Sequence, residues 1–156
     1  VFRQGKFVKM LKTPNTSVPG RFIGLDPGRN LGVAHVDDRG VLERAEIIHM
    51  GELAVYPFPR GAHILVGDGT GTARVQRVLG ERGLPFAVVD ERNTTLEARG
   101  LYFRDHPPAL WMRLLPKGLW SPPRPIDDYA AYATVLRYLE QARAAEKKSR
   151  DSPGSR

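Results

Sequence analysis

Arg21-Phe22-Ile23-Gly24-Leu25-Asp26-Pro27-Gly28-Arg29-Asn30-Leu31-Gly32-Val33-Ala34 reads as an apolar strand, a turn on Pro-Gly, and a second strand running back. Asp is a poor strand residue, so a carboxylate closing this strand asks for a reason. One reading is a carboxylate held at a rigid strand end, able to ligate a divalent metal or to contact phosphate-bound groups. The other is that Asp-Pro-Gly is ordinary turn chemistry. The motif fits both, and the rest of the chain has to separate them.

The chain has 156 residues, 41% of them hydrophobic, which suits one domain around a single core. It has no apolar run of membrane-spanning length and no secretory leader pattern. The absence of cysteine excludes disulfides, thiolate metal sites and cysteine nucleophiles, and agrees with a cytoplasmic location. A net charge of +7 and a pI near 10.0 favour a polyanionic partner over a membrane. The basic residues are unevenly spread. No acid occurs before Asp26, while Arg3, Lys6, Lys9, Lys12 and Arg21 do. A second basic region holds Arg99, Arg104, Arg113, Lys117 and Arg124 against Asp105 alone. The organisation expected is a basic arm over 1–20, one α/β domain over 21–146, and a flexible basic tail over 147–156.

Three strands come first: about 21–25, 31–36 and 41–50, with Asp37-Asp38-Arg39-Gly40 as the second hairpin turn. Pro57 and Pro59 leave no room for a long helix over 51–61. Ile64-Leu65-Val66 is a short apolar strand that ends in Gly67-Asp68-Gly69-Thr70-Gly71. A helix over 72–81 stops at Gly83. Phe86–Val89 is the next strand, and Thr94-Thr95-Leu96-Glu97 has the spacing of a capping box opening a helix to about Arg104. Residues 107–125 hold six prolines and two tryptophans and read as an irregular segment. A last helix is expected from about Ile126 to Ala145.

The acids now form a pattern. Asp26 closes the first strand, Glu91 follows the strand 86–89, and Asp127-Asp128 opens the last helix. Ends of neighbouring parallel strands meet at one sheet edge, and a helix start can place its acid over the same spot. Three acids gathered there repel one another unless a cation neutralises them. Each also has an ordinary reading: Asp127 and Asp128 complement the helix dipole, and Glu91 is a loop acid in water. The glycine loop divides similarly, between phosphate contact from Thr70 or Thr72 and plain strand-to-helix punctuation. Trp111 and Trp120 either stack on unpaired bases or pin the proline-rich loop to the core. His35 reads as structural.

Asp26-Pro27-Gly28 with Gly32-Val33-Ala34, then Val89-Asp90-Glu91-Arg92-Asn93-Thr94-Thr95, then Asp127-Asp128-Tyr129-Ala130-Ala131 resembles the YqgF-type branch of the RuvC-like resolvases. The resemblance spans most of 21–140. It implies a ribonuclease H-like mixed sheet, with three antiparallel strands followed by parallel strands and flanked by helices. It also implies a Mg²⁺- or Mn²⁺-dependent nuclease, acting on precursor ribosomal RNA or on branched DNA such as Holliday junctions, as a monomer or a homodimer. In that frame Asp26, Glu91 and Asp127 are the catalytic and metal-binding acids, with Asp128 as the alternative third. Gly28, Arg29, Thr70, Thr72, Arg92, Thr94, Thr95, Arg113, Lys117, Trp120 and Arg124 would line the nucleic acid. One departure from the family layout is the short segment 51–61 in place of a full helix, which would leave that side of the sheet open. A non-catalytic RNA- or ribosome-associated factor remains the alternative. An actin-like or sugar-kinase ATPase uses a similar Asp-x-Gly turn but needs two lobes, and this length supplies one.

Overall fold

The computed structural model describes residues 20–90 and 94–151. Five strands form one sheet: β1 (Phe22–Pro27), β2 (Leu31–Val36), β3 (Leu42–Ile48), β4 (His63–Gly67) and β5 (Phe86–Val89). Their order is β3-β2-β1-β4-β5. The first three strands pair antiparallel, and β4 and β5 join β1 in parallel. Three helices flank the sheet: α1 (Thr72–Glu81), α2 (Thr94–Asp105) and α3 (Asp127–Asp151). This is the ribonuclease H-like arrangement. No helix among the described residues is long and apolar enough to cross a membrane.

Period-two alternation divides the central strands between two apolar layers. Phe22, Ala34, Val36, Leu65 and Val89 pack with Ala98 and Tyr102 of α2 and with Tyr129, Tyr132 and Val135 of α3. Ile23, Leu25, Leu31, Val33, Ile64 and Val66 face the other way, onto Val75 and Leu79 of α1. Phe22 and Gly24 therefore share the α3 face with Asp26, two residues further along.

Several expected boundaries move. β1 continues through Asp26 to Pro27, which pairs with Leu31, so Asp26 lies inside the strand and is not its last residue. The turn is made by residues 28–30, where the Gly28 N–H donates to the Asn30 carbonyl at 3.0 Å. The second hairpin turn forms as read: Asp37 Oδ1 accepts from the Arg39 and Val41 N–H groups, and Gly40 takes φ +89°. α3 runs past Ala145 to Asp151. Residues 140–151 are mostly Ala, Glu, Gln, Lys and Arg, all good helix formers, and no breaker occurs before Pro153. The part of the expected tail over 147–151 is thus helical.

The side of the sheet expected to be open is covered. Between β3 and β4 only a 3₁₀ turn, Met50–Ala54, replaces the full helix. Leu53 from that turn is fully buried and Tyr56 nearly so. Arg82, just beyond α1, holds the segment down by donating to the Leu53 and Tyr56 carbonyls at 2.8 Å each. Its guanidinium also lies 5.1 Å from the centre of the Phe58 ring.

Candidate active site

Asp26 and Asp127 are brought together by two glycines. Asp26 pairs across the hairpin with Gly32, a separation of about 5 Å between α-carbons. The first turn of α3 lies directly on Gly32: a β-carbon there would overlap the Asp127 carbonyl and stand 2.7 Å from the Asp128 nitrogen. One turn on, a β-carbon at Gly24 would overlap the Ala131 carbonyl. Bare glycine backbone thus lets α3 sit close against β1 and β2. Asp127 Oδ1 reaches to 3.5 Å from the position of a Gly28 β-carbon, over the same hairpin that presents Asp26.

The two adjacent acids of α3 have opposite surroundings. Asp128 is 3% exposed and takes a two-pronged contact from Arg124, Nη1 to Oδ1 and Nη2 to Oδ2, both 3.1 Å. Its Oδ1 also accepts the Tyr129 N–H. Arg124 in turn lies over the Tyr102 and Tyr129 rings at 5.3 and 6.0 Å. Asp127 is partly buried, and its carboxylate has no hydrogen-bond or ion-pair partner among the described residues. Burial first, and the Asp128 charge second, raise its pKa above the ordinary carboxylate value.

Glu91 and Arg92 lie outside the described residues, as do residues 1–19 of the expected arm over 1–20, the chain end over 152–156 and the side chains of Thr94 and Thr95. The described residues on either side of 91–93 are both tied to α3. Arg137 of α3 donates to the Asp90 carbonyl at 2.9 Å and to Glu97 of α2 at 2.8 Å. The Glu97 carboxylate therefore meets Arg137 of α3; the capping box expected with Thr94 involves a side chain outside the described residues. β5 is two strand spacings, about 10 Å, from β1. No three acidic or histidine side chains among the described residues can hold a metal ion by themselves.

The glycine loop also approaches this edge. A β-carbon at Gly71 would stand 2.9 Å from Pro27 Cβ, so α1 begins against the end of β1. Thr72, expected to contact phosphate, is buried: its hydroxyl donates to the Gly67 carbonyl and accepts the Gly69 N–H, both at 2.7 Å. It closes the loop as an internal clip and is not available to a ligand. Thr70 is exposed, and so are Gly28 and Arg29 at the hairpin tip. His35 points to the opposite layer and bonds the Tyr56 hydroxyl at 2.7 Å, a structural role.

The proline-rich loop is irregular apart from two short 3₁₀ turns, Met112–Leu114 and Lys117–Leu119. Trp120 packs edge-on against Phe103 at 5.5 Å, and its indole N–H donates to the Leu115 carbonyl at 3.1 Å. It pins the loop; the more exposed indole is Trp111. Arg113 donates to the Pro108 carbonyl, Lys117 is exposed, and Arg124 is held by Asp128. The clue to Arg124 was its position four residues before Asp128, a spacing that lets the two side chains meet. Arg124→Ala is expected to lower the unfolding free energy by about 1–3 kcal/mol, because it strands a buried carboxylate. Guanidinium chloride denaturation followed by circular dichroism measures this.

No protein-family model matches the chain, and neither does any curated protein. Solved structures do. The chain is similar to "T. thermophilus RuvC in complex with Holliday junction substrate", with TM-score 0.50, 18% identity, and coverage of 80% of this chain and 96% of that one. The structure of Thermus thermophilus RuvC matches with TM-score 0.45 and 16% identity, over 79% of this chain and 96% of that one. The first of these likenesses establishes a shared fold.

Proposed function

We propose that this chain is a divalent-metal-dependent nuclease of the YqgF type, hydrolysing phosphodiester bonds in structured nucleic acid. The observation that carries the reading is the Asp127 carboxylate, partly buried and without a partner among the described residues, held beside Asp26 on a glycine floor. Two carboxylates gathered at one sheet edge, with Asp128 adding a like charge, favour a cation. The donor set is oxygen only, which suits Mg²⁺ or Mn²⁺ over softer ions.

In this reading Asp26 and Asp127 hold the metal, with Glu91 as the third acid. Bound there, the ion supplies positive charge to the phosphoryl oxygens and lowers the pKa of an attacking water. The chain's own part is positional. β1 fixes Asp26, and the contact of α3 with Gly24 and Gly32 fixes Asp127. The Arg124 clamp keeps Asp128 out of the site. Exposed Arg29 and Thr70 flank the edge where a phosphate backbone would approach. Because the RuvC neighbour is described with a Holliday junction substrate, the substrates to compare are four-way DNA junctions and structured precursor RNA.

Cleavage mapping with Mn²⁺ on matched four-way junctions, single-stranded DNA and structured RNA, beside the Asp26→Asn protein, tests the proposal. Metal-dependent products that disappear with Asp26→Asn are expected. Symmetric nicks would identify a junction resolvase, and a ladder from RNA ends would identify a processing enzyme. Binding with a steep salt dependence but no cleavage would overturn the reading in favour of a non-catalytic factor.

A further inference from the structure

The loop between α2 and α3 carries exposed apolar side chains that have no part in the nuclease reading. Leu110, Trp111, Leu114 and Leu119 are each 65–87% exposed, a density of bare apolar side chains that signals an interaction site. No acid occurs between Asp105 and Asp127, while Arg113 and Lys117 sit among the leucines.

Beside this patch runs a groove of about 490 Å³ between α2 and the loop, lined by Arg99, Phe103, Arg104, Lys117 and Trp120. Its floor is apolar, formed by the edge-on Phe103 and Trp120 rings. Its rim is cationic. Arg99 ties the loop to α2 by donating to the Gly118 and Trp120 carbonyls, neutral groups, and it has no acidic partner among the described residues. Arg104 is paired with Asp105, and Lys117 has no partner among the described residues. The groove follows α2 from Arg99 to Arg104, a rise of about 7.5 Å, and the helix ends beside the first turn of α3, where Tyr102 meets Tyr129.

We infer that this face docks an acidic peptide segment of a partner protein, with an apolar side chain seated on Phe103 and Trp120 and carboxylates facing Lys117 and Arg99. Charge complementarity selects an acidic occupant. The leucines select a peptide over a nucleic-acid strand: phosphates would satisfy the cations, but a strand would leave Leu110, Leu114 and Leu119 facing water. An amphipathic segment covers both.

The test is fluorescence anisotropy with octapeptides in which Phe or Leu anchors alternate with Asp and Glu. The same peptides with Lys in place of the acids serve as controls, and an oligo(dT) strand is the competitor. The expected result is binding of the acidic set at micromolar concentration, weakened at least tenfold by Lys117→Glu and, separately, by Leu114→Ser. Both positions are exposed, and unchanged thermal melts check that each variant folds. Acidic peptides binding no better than their lysine counterparts would overturn the inference. So would oligo(dT) binding lost in the same two variants, which would assign the face to nucleic acid. A wild-type dimer that Leu114→Ser dissociates in sedimentation velocity would assign it to a second copy of the chain.

Discussion

Gly32→Ala is expected to unseat α3 and to remove activity and stability together. The position looks mild, since alanine is small and β2 is regular on both sides. The obstacle is what the methyl group would meet. A β-carbon at Gly32 would overlap the Asp127 carbonyl, with the Asp128 nitrogen 2.7 Å away. Both are backbone, so no side-chain rotation relieves the clash and the helix must move as a unit. Overpacking a core costs roughly 1–3 kcal/mol where side chains can adjust, and a backbone obstacle places this substitution at or above the top of that range. The same displacement lifts Asp127 off the hairpin that carries Asp26. Urea denaturation should show a midpoint shift with little change in slope, and metal-dependent cleavage should fall at least as far as in Asp26→Asn. Gly80→Ala is the control: a β-carbon there meets nothing within 4 Å, and the substitution sits in a helix that alanine favours. An active, stable Gly32→Ala protein would mean that α3 does not rest on β2 as described.

What could be read in advance follows from which signals are local. The succession of strands and helices along the chain was accessible because apolar runs, turn residues and the βαβ logic around Gly67–Gly83 are short-range features. The use of Gly24 and Gly32 was not accessible, because it depends on a helix that begins about a hundred residues later. Thr72 shows a different limit: a hydroxyl in a glycine loop can meet a phosphate or its own backbone, and composition is the same for both. Asp127 and Asp128 looked equivalent because a helix start can shift by a residue. Their environments separate them, since Arg124 occupies Asp128 and no described residue pairs with Asp127. The cover supplied by Leu53 and Tyr56 was hidden for a similar reason, because irregular chain carries no periodicity to announce which side it buries.

Asp127→Asn should make the metal-free protein more stable while making it inactive. Burial first, and Asp128 second, raise the Asp127 pKa above its ordinary value. A carboxyl that binds its proton more tightly when folded than when unfolded gives stability that is fully present below the unfolded-state pKa, about 3.9. That stability is lost as pH rises through the higher native value. At neutral pH the native state therefore bears the cost of a charged Asp127, and asparagine removes it. The metal-free variant should melt above wild type at pH 7, and the gap should close as pH falls below 4. A divalent ion reverses the order by neutralising the charge that asparagine lacks. At a hundred times its dissociation constant, Mn²⁺ should stabilise wild type by about 2.7 kcal/mol, roughly 5–10 °C for a domain of this size, and leave Asp127→Asn almost unmoved. Turnover should fall about 10³-fold or more, the scale expected when several kcal/mol of transition-state charge stabilisation are lost. Calorimetric melts at pH 3.5 and 7, with and without Mn²⁺, read the stability half without any substrate. A variant less stable than wild type at pH 7, or one that Mn²⁺ stabilises equally, would show that Asp127 is neither strained by its charge nor a ligand.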